Sequence, residues 1–228
     1  MTAAARHRVT RGERIRAIPQ GTSIIEARGL ELKTLLGCPY SGIDLDVKQG
    51  EVFAIRGRNG AGKTALLLTL AGRTRFTKGS LTVCGLPLPQ KSKAVQRRVG
   101  LSLFEGLNDL PETQLVRRAV SAEFELCDRA LDKQEVCEYL EEWKLGEVAE
   151  KRVRELTRDE LVHLTTALAW AGHPDIIVID DIESQLTHEQ SSAFMDDLLN
   201  LARKRNVTIL VGVIERDLAA KADHALYL

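Results

Sequence analysis

The sequence predicts an α/β fold in which a mostly parallel central sheet is covered on both faces by helices. Three observations point there: apolar strand-like runs alternate with helical patterns, a glycine-rich turn joins one run directly to a helix, and a carboxylate ends another run. Alternation of this kind implies a parallel sheet, because parallel neighbours need a crossover long enough to hold a helix. At 228 residues the chain can bury one sizeable core with at most a subdomain attached.

Taken in order, residues 1–21 set Arg6, Arg8, Arg11, Arg14 and Arg16 against Glu13, which reads as a flexible basic tail. Residues 22–228 are then one domain. SIIEAR (23–28) and IDLDV (43–47) are short strands, and EVFAIRG (51–57) is a stronger one that runs into GRNGAGKT (57–64). The following KTALLLTLA (63–71) is apolar enough for a buried helix. From about 112 to 150 the pattern becomes helical: Leu115, Ala119 and Ala122 alternate with Val116, Val120 and Phe124, and Val136, Tyr139, Leu140 and Trp143 repeat the spacing. Strands return at 175–180 and 206–212, around a helix over about 188–204 that turns Phe194, Leu198 and Leu201 to one side. The last five residues begin a further strand.

Thirty-two basic residues balance 32 acidic ones, so the chain carries no net field that would steer nucleic acid, and no nucleic-acid partner is expected. Cys38, Cys84, Cys127 and Cys137 form no C-x-x-C pair, which fits reduced cytoplasmic thiols. The longest apolar run, 207–214, falls far short of the roughly 20 residues of a membrane helix.

The chemistry lies in two stretches. Gly57, Gly60 and Gly62 allow successive backbone N–H groups to turn inward and cradle phosphate oxygens at the positive end of the next helix. Lys63 adds a point charge toward the outer phosphates, and Thr64 a hydroxyl suited to Mg²⁺. Arg58 and Ala65 belong to the same binding stretch, while Asn59 and Ala61 contribute backbone groups. Asp180 ends the run IIVID, so its carboxylate emerges at the sheet edge that also carries the glycine loop, where it can hold the metal through water.

With both stretches placed, the chain from about residue 23 resembles the nucleotide-binding subunit of the ATP-binding cassette (ABC) family. IDLDVKQGEVFAIRGRNGAGKT (43–64) and PDIIVIDD (174–181) are the most specific matches. The resemblance implies a P-loop NTPase with an N-terminal antiparallel β portion and a helical subdomain at about 106–158. It implies ATP and Mg²⁺ as cofactors, a membrane-spanning transporter subunit and a second ATP-binding subunit in a homo- or heterodimer as partners, and a cytoplasmic position at the inner face of the membrane.

Against the family pattern several positions differ. Thr34 stands where an aromatic residue stacks on adenine, with Tyr40 the only nearby ring, and Phe104 stands at the glutamine position with Glu105 beside it. Asp181 replaces the usual glutamate base, one methylene shorter, and with Lys63 completes the catalytic set. Thr187 replaces a second Asp, Ile214 replaces a phosphate-contacting His, and Ala65 replaces a hydroxyl. The signature LSGGQ becomes LTRDE (156–160), in which Thr157 and Glu160 form a capping box ahead of Leu161, Leu164 and Leu168. Asp159 and Glu160 would repel a polyphosphate that Arg158 only partly offsets. These departures imply an ATPase that is slow or partner-dependent; the alternative is a nucleotide-gated regulatory or scaffold subunit without useful hydrolysis.

Overall fold

The computed structural model describes residues 18–228 apart from 36, 103 and 105, so most of the basic tail and Glu105 lie outside the described residues. The first two strands outrun their apolar cores. β1 (Ser23–Thr34) and β2 (Gly37–Lys48) form an antiparallel hairpin in which Ala27 faces Leu45 and Leu32 faces Tyr40. The sequence expectation ended the first strand at 28 and began the second at 43. The additional length carries Glu31, Lys33 and Ser41, which a solvated face tolerates, and register shifts between Ala27 and Leu32 break the period-two pattern. Ser41 donates to Glu31 at 2.9 Å and the Lys33 and Lys78 ammonium groups approach the same carboxylate, so polar pairs hold this end together.

β3 (Val52–Arg56) passes through the glycine loop to α1 (Lys63–Leu70). β4 (Lys78–Val83) and β5 (Leu86–Leu88) come after it, then a short α2 (Ser92–Gln96) and β6 (Val99–Ser102). Helices α3 (Val116–Leu126), α4 (Lys133–Glu142) and α5 (Arg158–Trp170) come next. β7 (Ile176–Ile179), α6 (His188–Arg205), β8 (Thr208–Val213), α7 (Arg216–Lys221) and β9 (His224–Tyr227) complete the order.

The strands sort into an antiparallel sheet, β2-β1-β4-β5, and a five-stranded sheet, β6-β7-β8-β3-β9, whose neighbours are all parallel. Every residue of β7 and β8 is buried, as a sheet covered on both faces requires. One face packs on α1 and the antiparallel sheet, through residues such as Ile55, Leu66, Leu67 and Val178. The other packs on α6 and α7 through Phe194, Met195, Leu198 and Leu218. A third apolar cluster joins α3, α4 and α5, where Phe124 meets Tyr139 edge-on at 4.9 Å and the Tyr139 hydroxyl donates to Ala167 O at 2.6 Å. No helix among the described residues is long and apolar enough to cross a membrane.

This topology places β3, β7 and β8 side by side and parallel, so the segments leaving their C-terminal ends are gathered at one edge of the sheet. There lie the glycine loop, Asp180 and Ile214.

Candidate functional site

The glycine loop is built by the end of β3. Gly57 N–H donates to Val213 O on β8 at 3.1 Å, and Ala61 N–H closes a turn onto Arg58 O at 3.0 Å. Gly60 and Gly62 adopt φ of +80° and +99°, a conformation that favours glycine. Gly62 starts α1; no side chain caps that start and its first turn holds no acidic residue, so the helix end is suited to an anion. Pro39 on β2 presses on the loop from outside: a Cβ at Gly62 would lie 2.2 Å from Pro39 O. Lys63 is buried, and its ammonium donates to Gly57 O at 2.9 Å and Arg58 O at 3.3 Å. An ammonium has three donors, so one remains for a ligand.

Thr64 and Asp180 meet at 2.6 Å, the hydroxyl donating to Oδ2, across 116 residues of sequence. Asp180 is 7% exposed, and its Oδ1 is buried with no hydrogen-bond partner. Gly212 on β8 makes room for it, because a Cβ there would sit 2.8 Å from Oδ1. Burial pushes the Asp180 carboxyl above its usual range, against the pull of the Thr64 hydrogen bond, and the charge of Asp181 pushes the same way. A buried carboxylate oxygen with no donor is costly, and a hard cation with oxygen ligands would satisfy it. Among the described residues no group of three or more His, Cys, Asp or Glu could hold a metal by itself. The Thr64 hydroxyl and the Asp180 carboxylate are oxygen donors of the kind that fits Mg²⁺, which takes one or two protein ligands when phosphates and water supply the rest.

Asp181 comes next, in the left-handed region, φ 42° and ψ 62°, and opens the 3-10 turn Ile182–Ser184. Its Oδ1 is likewise buried without a partner. The two carboxylates and the loop face a cleft of about 820 Å³, whose outer wall is the hairpin segment Thr34, Gly37, Cys38 and Pro39. Ser184 and Gln185 border it on the Asp181 side.

A family model described as ABC transporter matches residues 40–184. The chain belongs to the ABC transporter family. It is 29% identical over 196 residues to the Nod factor export ATP-binding protein I of Cupriavidus pinatubonensis, a match that covers 85% of this chain and 59% of that protein. The chain thus spans less than two thirds of that relative's length. It is also 29% identical to an uncharacterized ABC transporter ATP-binding protein, YbbA, of Escherichia coli, covering 82% of this chain and 85% of the relative. Among solved structures, the ATP-binding cassette MJ0796, dimeric and bound to ADP and Pi, superposes with a TM-score of 0.76 at 19% identity, over 90% of this chain and 94% of the other. That likeness bears on the fold, which is the cassette fold.

As an ABC cassette the chain places its unusual positions clearly. Thr34 lies in the cleft wall, but Tyr40 does not: it is 4% exposed and its hydroxyl donates to Thr69 Oγ1 at 2.7 Å. The ring that stood nearest in sequence is part of the core. Phe104 reaches the cleft yet is 2% exposed, and its N–H donates to Asn108 Oδ1 at 2.9 Å while Asn108 Nδ2 donates to Leu101 O at 2.9 Å. Asn108, which sequence reasoning missed, braces this loop.

At the signature position the capping box is present. Glu160 N–H donates to Thr157 Oγ1 at 3.2 Å and Thr157 N–H to Glu160 Oε2 at 2.7 Å. Burial pulls the Glu160 carboxyl upward, but the hydrogen bonds with Thr157 and the Lys151 ammonium at 3.1 Å, with its charge, hold it below the usual range. Arg158 donates to Gln185 Oε1 at 2.9 Å, which ties the first residue of α5 to the cleft border; no local pattern announces that contact. Thr187 is the N-cap of α6, paired with Gln190. At Ile214 the backbone is spoken for: its N–H donates to the Glu183 carboxylate, Glu215 N–H donates to the same group at 2.9 Å, and Arg56 Nε donates to Ile214 O at 3.0 Å.

Proposed function

We propose that this chain is the ATP-binding subunit of a membrane transporter, holding Mg-ATP in the cleft and passing binding or slow hydrolysis to a membrane-spanning partner. The observation that carries this reading is the Thr64–Asp180 pair at 2.6 Å beside the buried Lys63 and the uncapped start of α1. Gly57, Arg58, Asn59, Gly60, Ala61, Gly62 and Ala65 form the loop that wraps the phosphates, with Lys63 directed to the outer ones. Thr64 and Asp180 hold Mg²⁺, which when bound neutralises phosphate charge. Asp181 is the candidate base among the described residues, placed beside Asp180 with an unpartnered oxygen.

The relatives' names support a transport setting, and the cleft volume of about 820 Å³ suits a nucleotide. A second ATP-binding subunit would pair with this one, and the complex would sit at the cytoplasmic face of a membrane. A groove of about 520 Å³ between β6, α3 and α5, bordered by Arg97, Leu107 and Glu123, is available to the membrane partner.

Phosphate release measured on the chain with a candidate partner tests this, and Lys63→Ala should abolish it. A second reading, a regulatory subunit that binds Mg-nucleotide without turnover, takes its motive from residue identity alone: Ile214 where the family has a phosphate-contacting His, and Asp181 where it has Glu. Asp181→Asn separates the two, since Asn tolerates the left-handed backbone as well as Asp does. A fall of about 10²-fold in release with the fold intact supports hydrolysis. Nucleotide binding with no release from either chain supports the regulatory reading.

A further inference from the structure

Three hydroxyls lie buried at a contact that is otherwise apolar. Ser102 ends β6, and Thr165 and Thr166 stand in the middle of α5; their buried neighbours in sequence are Val99 on the strand and Val162, Leu164 and Ala167 on the helix. Thr165 Oγ1 donates to Leu161 O and Val162 O, each at 3.1 Å, and Thr166 Oγ1 donates to Val162 O at 2.8 Å, the way a mid-helix threonine satisfies itself. With both threonine protons spent within α5, the Ser102 hydroxyl is the group that crosses the gap, donating to Thr165 Oγ1 at 3.1 Å with Thr166 Oγ1 3.3 Å away. Apolar side chains can slide past one another, but a buried hydroxyl that loses its partner is left desolvated, so this contact fixes where α5 sits on β6. One turn along α5 the backbones meet as well: a Cβ at Gly100 would lie 2.1 Å from Ala169 O.

The same serine reaches the cleft through its backbone. Ser102 pairs with Ile179 on β7, and its carbonyl accepts the Asp180 N–H at 3.3 Å. Asp180 is then held by its amide from β6 and at Oδ2 by Thr64, while Oδ1 keeps no partner. We propose that Ser102, Thr165 and Thr166 are positioning residues for the metal site: the hydroxyl contact seats β6 against α5 and, through the Ser102 carbonyl, sets the point at which Asp180 offers its free oxygen to Mg²⁺. The proposal rests on the reading of Asp180 as a Mg²⁺ ligand and assigns the groups that aim it. Supporting groups of this kind change metal affinity without touching the metal.

Calorimetric titration of the full chain with ATP at stepped Mg²⁺ concentrations tests it, alongside hydrogen exchange of the Asp180 amide in the ligand-free chain. Ser102→Ala leaves both threonine protons on their helix carbonyls, so the fold should survive. This variant should need about tenfold more Mg²⁺ for half-maximal binding and should exchange faster at Asp180 by a similar factor. Its affinity for ATP in EDTA should stay within about twofold of the parent chain. Thr165→Val with Thr166→Val should reproduce the Ser102→Ala effect, and Thr165→Ser with Thr166→Ser, which keeps the hydroxyls, should not. If the valine pair does not fold, Ser102→Ala decides alone. An unchanged Mg²⁺ requirement or unchanged Asp180 exchange in Ser102→Ala overturns the proposal while leaving the nucleotide site intact. An equal loss in the serine and valine pairs also overturns it, since packing and not the hydroxyls would then be responsible. If the parent chain binds no Mg-ATP, the reading of Asp180 as a ligand falls, and the proposal with it.

Discussion

In the proposed site, Asp180 is where metal binding and stability would oppose each other. Its carboxylate is almost fully buried, one oxygen is unpartnered, and burial raises its proton affinity. Asp180→Asn should therefore raise the melting temperature of the ligand-free chain by a few degrees while removing the Mg²⁺ dependence of nucleotide binding; calorimetry reads both. Gly62 is a second residue whose identity is dictated by position. Its φ of +99° and the close approach of Pro39 O leave no room for a methyl group. Gly62→Ala should cost about 1–3 kcal/mol in backbone strain alone, seen as a lower urea midpoint, and should weaken phosphate binding because the hairpin must shift. The Gly57–Thr64 loop was legible in sequence because its spacing is local. Pro39 over Gly62, Arg158 on Gln185 and Asn108 between Phe104 and Leu101 were not, since each depends on how the chain returns on itself.

Among the elements, α5 shows how a capped helix can titrate. Thr157→Ala should cost about 1 kcal/mol by removing an N-cap. The Glu160 half of the box has a pH sign set by its lowered pKa in the folded chain. Its contribution is complete above the ordinary glutamate pKa of about 4.3 and is lost as pH falls through the lowered folded value. Hydrogen exchange of the first amides of α5 should thus accelerate below about pH 4 relative to the middle of the helix, and Glu160→Gln should flatten that dependence. Elements differed in how openly the sequence announced them. β7 and β8 are buried on both faces, so their apolar runs were unmistakable. β4 exposes Lys78, Gly79 and Ser80, and β5 has three residues, so neither produced a pattern before the sheet gave it one.

For the molecule as a whole, a ligand that binds only the folded chain must stabilise it. Mg-ATP at about 100 times its Kd should add about 2.7 kcal/mol, or roughly 5–10 °C in melting temperature for a chain of this size, and Lys63→Ala should show no such rise. The fold class was readable because alternating strands and helices constrain topology. The hairpin's true length and the destination of Tyr40 were not, because both depend on which face of the antiparallel sheet meets α1. The Glu183 carboxylate has a mechanical consequence at this scale. By grasping the amides of Ile214 and Glu215 it rivets the segment after Asp181 to the tip of β8. A neighbouring subunit that pulls on either strip must drag the other, so the two would travel as one lever, and Glu183→Ala would uncouple them.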